Sequence, residues 1–314
     1  MGIFFTEGSM KHIYKAWCIQ IEITNACINK CAHCSHGVPH FNKPYFADLE
    51  FVERALSSLH TWRRAVGCIG GEPTIHPHFI DICKLYQKHI KRENCALFTA
   101  GGKKYTEYKN LIDQTFGIIR YNDHSVVGRH QPLLVASRDV IPDEKLRNAL
   151  IDKCWLQLVW SPCITYKGCF FCEAASTIDT LFNGPGGYPI EPGWWKRKVS
   201  DFKDQRDCYC PQCGIAIPME KVPSNLPYEY VSTSNLEKLI KIGSPLAQSG
   251  NVKIIDDTLT AEEIRKIKKL PNYNSRPDRH TRKGEHNWYT IKSNKYYFFF
   301  LLDWLKVVLR KITG

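Results

Sequence analysis

Cys27-Ile28-Asn29-Lys30-Cys31-Ala32-His33-Cys34 places three thiols within eight residues. It follows an alternating run, Cys18–Thr24 (CIQIEIT), in which Ile19, Ile21 and Ile23 point one way and Gln20, Glu22 and Thr24 the other. A period of two predicts a strand, with the thiols on the loop leaving its C-terminal end. Thiolates are soft ligands suited to iron–sulfur clusters or zinc. A four-iron cubane takes four ligands, so three close thiols leave one iron open. The alternative at this stretch is a zinc knuckle from Cys31, Cys34 and either His36 or His40.

Downstream, the periodicity predicts a helix over 46–60, with Leu49, Val52, Leu56 and Leu59 on one face and Asp48 placed to start it. A strand over 64–69 runs into Gly70-Gly71-Glu72-Pro73. Further helices are predicted over 77–92, 105–116 and 143–153, and further strands over 95–100, 117–121 and 132–136. Strands alternating with helices imply parallel β/α units. The functional loops should then gather at the C-terminal ends of the strands. The two glycines would let the backbone come close to a ligand, and Glu72 beside them could accept from an ammonium group.

Together, C-x3-C-x2-C after a first strand and GGEP after the second resemble the radical SAM enzymes. The resemblance implies a [4Fe–4S] cluster on Cys27, Cys31 and Cys34. Its open iron would chelate S-adenosylmethionine, which reductive cleavage turns into a 5′-deoxyadenosyl radical. The cofactor carries that chemistry while the protein binds and orients it. The resemblance also implies SAM contacts from Gly70, Gly71, Glu72 and Pro73, and from His33, which stands where the family usually has an aromatic. At the later strand ends Thr99, Asn122 and Ser125 are the further candidates, with turn capping as the competing role. A flavodoxin- or ferredoxin-type reductant is the implied partner.

A second cysteine field comprises Cys154, Cys163, Cys169, Cys172, Cys208, Cys210 and Cys213. Cys210-Pro211-Gln212-Cys213 has a chelating spacing. A strand pair is expected over 156–160 and 164–166, turned at Lys167-Gly168. The pattern resembles the twitch or SPASM extension of the same family, which implies a second [4Fe–4S] cluster on Cys154, Cys172, Cys210 and Cys213. Three residues rather than the usual four separate the glycine from Cys172, so Cys169 competes with it. Two auxiliary clusters, or zinc in the same four-thiol site, remain alternatives. Cys18, Cys68, Cys83 and Cys95 sit among apolar residues and read as buried. The stretch 181–198 (LFNGPGGYPIEPGWWKRK) is long and aromatic. Tyr188, Trp194 and Trp195 could stack on a substrate there, or pack on themselves in an Ω-loop.

With 314 residues, 43% hydrophobic and 24% charged, the composition is that of a globular protein. No signal peptide precedes the first strand, and clustered cysteines without export favour metal binding in a reducing cytoplasm. The net charge is +12, and residues 251–314 hold 14 basic against 7 acidic residues. That favours anionic partners. Helices are predicted over 235–242 and 261–270, then a polar linker over 272–287. An apolar helix over 297–312 is expected to dock on the core, with peripheral membrane contact second. The expected class is α/β, a partial (β/α)6 TIM-type barrel (1–150), a small twitch/SPASM-like cysteine-rich domain (151–250), and a basic linker with the terminal helix (251–314). The expected activity is hydrogen abstraction from a small polar or carbohydrate-like substrate, an anionic one included, giving oxidation or epimerisation. A peptide is second, and a nucleotide or nucleic acid third. A non-catalytic zinc or iron–sulfur module is the alternative of another class.

Overall fold

The alternating run Cys18–Thr24 is strand β1, and it lies in the middle of the sheet rather than at its edge. The computed structural model describes residues 13–154, 156, 162–267 and 288–292. After β1 come α1 (Leu49–Ser58), β2 (Ala65–Gly70), α2 (Phe79–His89), β3 (Cys95–Thr99), α3 (Lys103–Glu107), α4 (Lys109–Thr115) and β4 (Ile118–Asn122). Next are β5 (Arg129–His130), α5 (Ser137–Val140) and α6 (Glu144–Ile151). A hairpin follows, β6 (Cys163–Thr165) and β7 (Gly168–Phe170), then α7 (Glu173–Phe182) and α8 (Lys203–Tyr209). The chain continues through β8 (Val222–Pro223), β9 (Glu229–Val231), α9 (Thr233–Lys241), β10 (Val252–Ile254) and a helix Ala261–Ile267 to β11 (Trp288–Lys292).

The main sheet has the order β11-β4-β3-β2-β1-β6-β7. From β4 through to β6 neighbouring strands run parallel, and the edge strands β11 and β7 pair antiparallel. This is the expected α/β class with a parallel central sheet of partial-barrel type. The hairpin continues the same sheet from β1, with Gln20 opposite Cys163 and Ile21 opposite Ile164.

Both faces of β1 are buried. Ile19, Ile21 and Ile23 join Val66, Cys68, Leu97 and Ile119 in the main core, against Phe51, Val52 and Leu56 of α1 and Phe79, Ile82 and Tyr86 of α2. Each such side chain contributes about 1.5–3 kcal/mol of apolar burial. Asp48 starts α1 as expected, its side chain accepting from Phe51 N at 2.6 Å. The other face carries Cys18, Ala65, Ile69, Ala96, Phe98 and Ile118, and by the two-residue period also Gln20, Glu22 and Thr24. That polar stripe looks into the barrel.

Some expectations fail locally. Residues 132–136 form turns, not a strand. Their backbone bonds go to loops from far along the chain: Leu133 O accepts from Gly214 N, and Leu134 O from Ser232 N and Asn235 Nδ2. The helix expected over 105–116 is two, broken at Tyr108. Of the expected first hairpin strand, 157–160 lie outside the described residues, and the hairpin seen is β6–β7. The linker 272–287 and the helix 297–312 also lie outside them. Among the described residues no helix is long and apolar enough to cross a membrane.

Candidate active site

The cysteine loop is held by hydrogen bonds to distant chain. Ala32 N donates to Ser224 O at 2.8 Å, and His33 N to Glu229 Oε1 at 2.7 Å. His40 closes the brace, with Nε2 2.9 Å from Glu229 Oε2 and Nδ1 2.8 Å from Ser244 Oγ. Glu229 is buried, yet its partners His40 and His33 hold its carboxyl below the ordinary value. His36 pairs with Glu22 at 2.8 Å. Both histidines of the zinc-knuckle alternative are therefore committed elsewhere. Burial raises Cys27 and pushes Cys31 up to about 11 and Cys34 to about 12, and the neighbouring thiols add to the rise of Cys31 and Cys34. Three thiols that repel one another's ionisation are a donor set a cationic cluster would relieve.

The two glycines at the end of β2 brace the cysteine loop. A Cβ on Gly70 would lie 2.1 Å from Thr24 O, and one on Gly71 2.1 Å from Ala26 O. Gly71 N donates to Thr24 O at 2.8 Å and Glu72 N to Ala26 O at 2.7 Å, clamping the loop directly before Cys27. Gly71→Ala is therefore expected to displace the loop and lose most of its bound iron. Full iron loading of that variant would show that the clamp is dispensable.

Glu72 is fully buried, and its carboxylate is taken up by protein donors. Oε1 accepts from Thr74 N (3.1 Å) and Thr74 Oγ1 (2.7 Å), Oε2 from Ala100 N (2.7 Å), and Thr99 Oγ1 lies 2.8 and 3.0 Å from the two oxygens. Burial raises its pKa against the pull of these bonds. A carboxylate has about four lone-pair sites, and four donors fill them. These bonds tie the β2 turn to the end of β3 through Glu72. Thr99 is spent on the same contact. Pro73 begins the short 3₁₀ turn Pro73–Ile75 and is buried.

The other strand-end candidates divide. Asn122 ends β4 with Oδ1 unpartnered and is 8% exposed, so it remains available. Ser125 caps a turn, its Oγ donating to Asp123 Oδ1 at 2.6 Å and its N to the same oxygen at 2.9 Å. His33 is buried with φ 57°, and its ring stacks on Tyr230 at 5.6 Å. Burial lowers it to about 4. Its stacking partner here is thus Tyr230. The β4 loop contributes His124 instead, whose Nδ1 is 3.9 Å from Cys31 Sγ.

In the second cysteine field, Cys154, Cys172, Cys210 and Cys213 border one small cavity of about 20 Å³, together with Phe171, Tyr209 and Ile215 among others. Cys154 follows α6, Cys172 caps α7, and Cys210 and Cys213 flank the short turn after α8. Burial raises Cys172 and Cys210 well above the usual thiol value and Cys213 to about 12, each pushed further by one or more of the other cysteines. Cys169 lies in β7 with Sγ 3.7 Å from Pro189 O, away from this lining. Among the described residues no three His, Cys, Asp or Glu side chains converge closely enough for a single ion.

Tyr188, Trp194 and Trp195, expected to stack on a substrate, are instead packed into the fold. Trp194 and Trp195 are 3% and 8% exposed, and Trp195 meets Trp62 edge-on at 5.2 Å. Tyr188 packs on Phe202 at 5.3 Å, with the Arg197 guanidinium 4.2 Å over its ring. Their apolar area is worth more against the core than in water. A polar group missed by the motif reading lies behind the cysteine loop: Gln20, Glu22, His36 and Glu173, all buried. Burial pushes Glu173 up to about 7, against His36 and Gln20 beside it. The signal was present in the Gln-Glu-Thr alternation of β1.

A family profile described as the Radical SAM superfamily matches residues 21–120. Among solved structures, "Crystal structure of BtrN in complex with AdoMet and 2-DOIA" aligns at 14% identity with a TM-score of 0.40, covering 63% of this chain and 88% of that one. "Crystal structure of SeMet BtrN in an OPEN conformation" aligns at 12% identity and a TM-score of 0.38, covering 64% and 86%. No curated protein matches the chain.

Proposed function

From a chain whose residues 21–120 are a radical SAM superfamily domain, we propose an enzyme that cleaves SAM reductively at Cys27, Cys31 and Cys34 and oxidises a small polar substrate. The observation that carries this reading is the joining of the three-thiol loop to the GGEP turn by the Gly71 and Glu72 backbone bonds. When bound, the cluster and SAM supply a 5′-deoxyadenosyl radical for hydrogen abstraction. The chain's part is to hold that site in register. The glycine clamp fixes the residues before Cys27, Glu72 fixes the turn, and Glu229 fixes the residues after Cys31. Asn122 is left to hydrogen-bond SAM at the mouth.

The second site favours oxidation over epimerisation. Four thiols bordering one cavity are a ligand set that a [4Fe–4S] cluster can take. An auxiliary cluster there would take up the electron that a substrate radical gives away. Tyr209, Phe171 and Ile215 line the same space and would keep water from it. Anaerobic reconstitution with iron and sulfide tests the assignment. The wild type should hold about two clusters' worth of iron and release 5′-deoxyadenosine from SAM on reduction. Cys172→Ala should lose roughly half of that iron, and Cys169→Ala should lose none. Equal losses in the two variants, or zinc retained in place of iron, would remove the auxiliary cluster.

A further inference from the structure

Cys31 Sγ has a side-chain neighbour that neither motif supplies: His124, whose Nδ1 lies 3.9 Å away. His124 comes from the loop after β4, 93 residues along the chain. That loop is fixed on both sides of it. Asp123 Oδ1 accepts from Ser125 N at 2.9 Å and from Ser125 Oγ at 2.6 Å, which closes a tight turn around His124. Further on, Gly128 O accepts from Ser224 N at 2.7 Å, and β5 pairs with β8. The same loop then reaches the cysteine loop a second time. His130 Nδ1 donates to Ala32 O at 2.8 Å, directly beside Cys31. His124 is therefore held at the sulfur by a turn on one side and by the brace of Ala32 on the other.

The chemistry of the sulfur decides which atom donates. A cysteine that holds iron is a thiolate without a proton, so it can only accept. Nδ1 must then carry the hydrogen, in the neutral ring and in the cation alike. Sulfur is larger than oxygen, so such a contact is longer than an N–H···O bond. Reduction of an iron–sulfur cluster adds one electron, and part of the added charge rests on its sulfurs. A donor aimed at one of them stabilises the reduced form more than the oxidised form and raises the potential.

We propose that His124 donates from Nδ1 to the Cys31 sulfur and so sets the potential at which the cluster on Cys27, Cys31 and Cys34 takes its electron. His124 acts through Cys31 and is a positioning residue, not a ligand. This rests on the radical SAM reading and deepens it. The electron comes from an external one-electron donor of the flavodoxin or ferredoxin class, and that donor can be a weaker reductant than a bare thiolate would require.

Anaerobic redox titration of the reconstituted full chain, followed by electron paramagnetic resonance, tests it. The signal to follow is the one missing when Cys27, Cys31 and Cys34 are together replaced by alanine. His124→Phe keeps a ring over the sulfur. It also keeps water from donating in its place, which truncating this exposed side chain would allow. The variant should hold wild-type iron, and its reduced-to-oxidised ratio at a fixed poise should fall about tenfold, a shift of about 59 mV to more negative potential for one electron. His124→Asn puts an N–H back near the place of Nδ1 and should recover most of that shift. An unmoved potential in His124→Phe, an equal fall in both variants, or iron lost from His124→Phe would each overturn the proposal. Release of 5′-deoxyadenosine from SAM by the wild type separates the two readings. If it forms while the potential stays put, only the role of His124 falls. If the wild type forms none, the radical SAM reading falls and the role of His124 with it.

Discussion

Replacing Cys27, Cys31 and Cys34 together by alanine is expected to abolish 5′-deoxyadenosine formation and to remove about half of the iron that the reconstituted protein holds. The remaining half is expected at the proposed second site of Cys154, Cys172, Cys210 and Cys213. The fold should survive, because the three thiols are only half-buried. The loop's braces come from Ala32, His33 and His40 and not from the cysteines. Iron analysis and product chromatography on the same samples decide the matter. Undiminished deoxyadenosine in the triple variant would place the reactive cluster elsewhere.

Glu72→Ala is the second large effect, and its cause is structural. The substitution strands the donors of Thr74, Thr99 and Ala100, which meet on the buried carboxylate. Breaking such a network costs about 3–5 kcal/mol. For a chain of this size that lowers the melting temperature by roughly 5–8 °C. SAM affinity should fall as well, because the turn that shapes the mouth loses its tie to β3. Glu72→Gln keeps one oxygen and should lie between wild type and alanine in both measurements. An alanine variant with wild-type melting and weakened SAM binding would restore a direct contact between Glu72 and the ligand.

Much of this site was readable because it is local. The β1 alternation, the three-thiol loop and the GGEP turn each lie within a few residues, and parallel β/α order brings their loops to one edge. Long-range partners were not readable. Nothing near Cys31 points to Glu229 or Ser244, since they meet the loop only after the chain has passed through β1 to β7. Direction was also hidden. The aromatics of 181–198 could face a ligand or the core, and only their packing on Trp62 and Phe202 tells which. Where Cys169 and Cys172 come to lie turned on the hairpin. Pairing Ile164 with Cys169 leaves Cys169 in the strand and brings Cys172 to the start of α7.

The brace around Glu229 has a consequence in time. A nascent chain that has emerged through β4 already displays every ligand of the first cluster and the whole glycine clamp. It does not yet contain Ser224, Glu229 or Ser244, which fix the residues around and after Cys31. Until those arrive, the loop has no fixed shape on one side, and an iron–sulfur scaffold would meet three thiols on a tether. The side of the loop after Cys31 is thus set only once synthesis has passed residue 244, some 210 residues after the last of the three thiols.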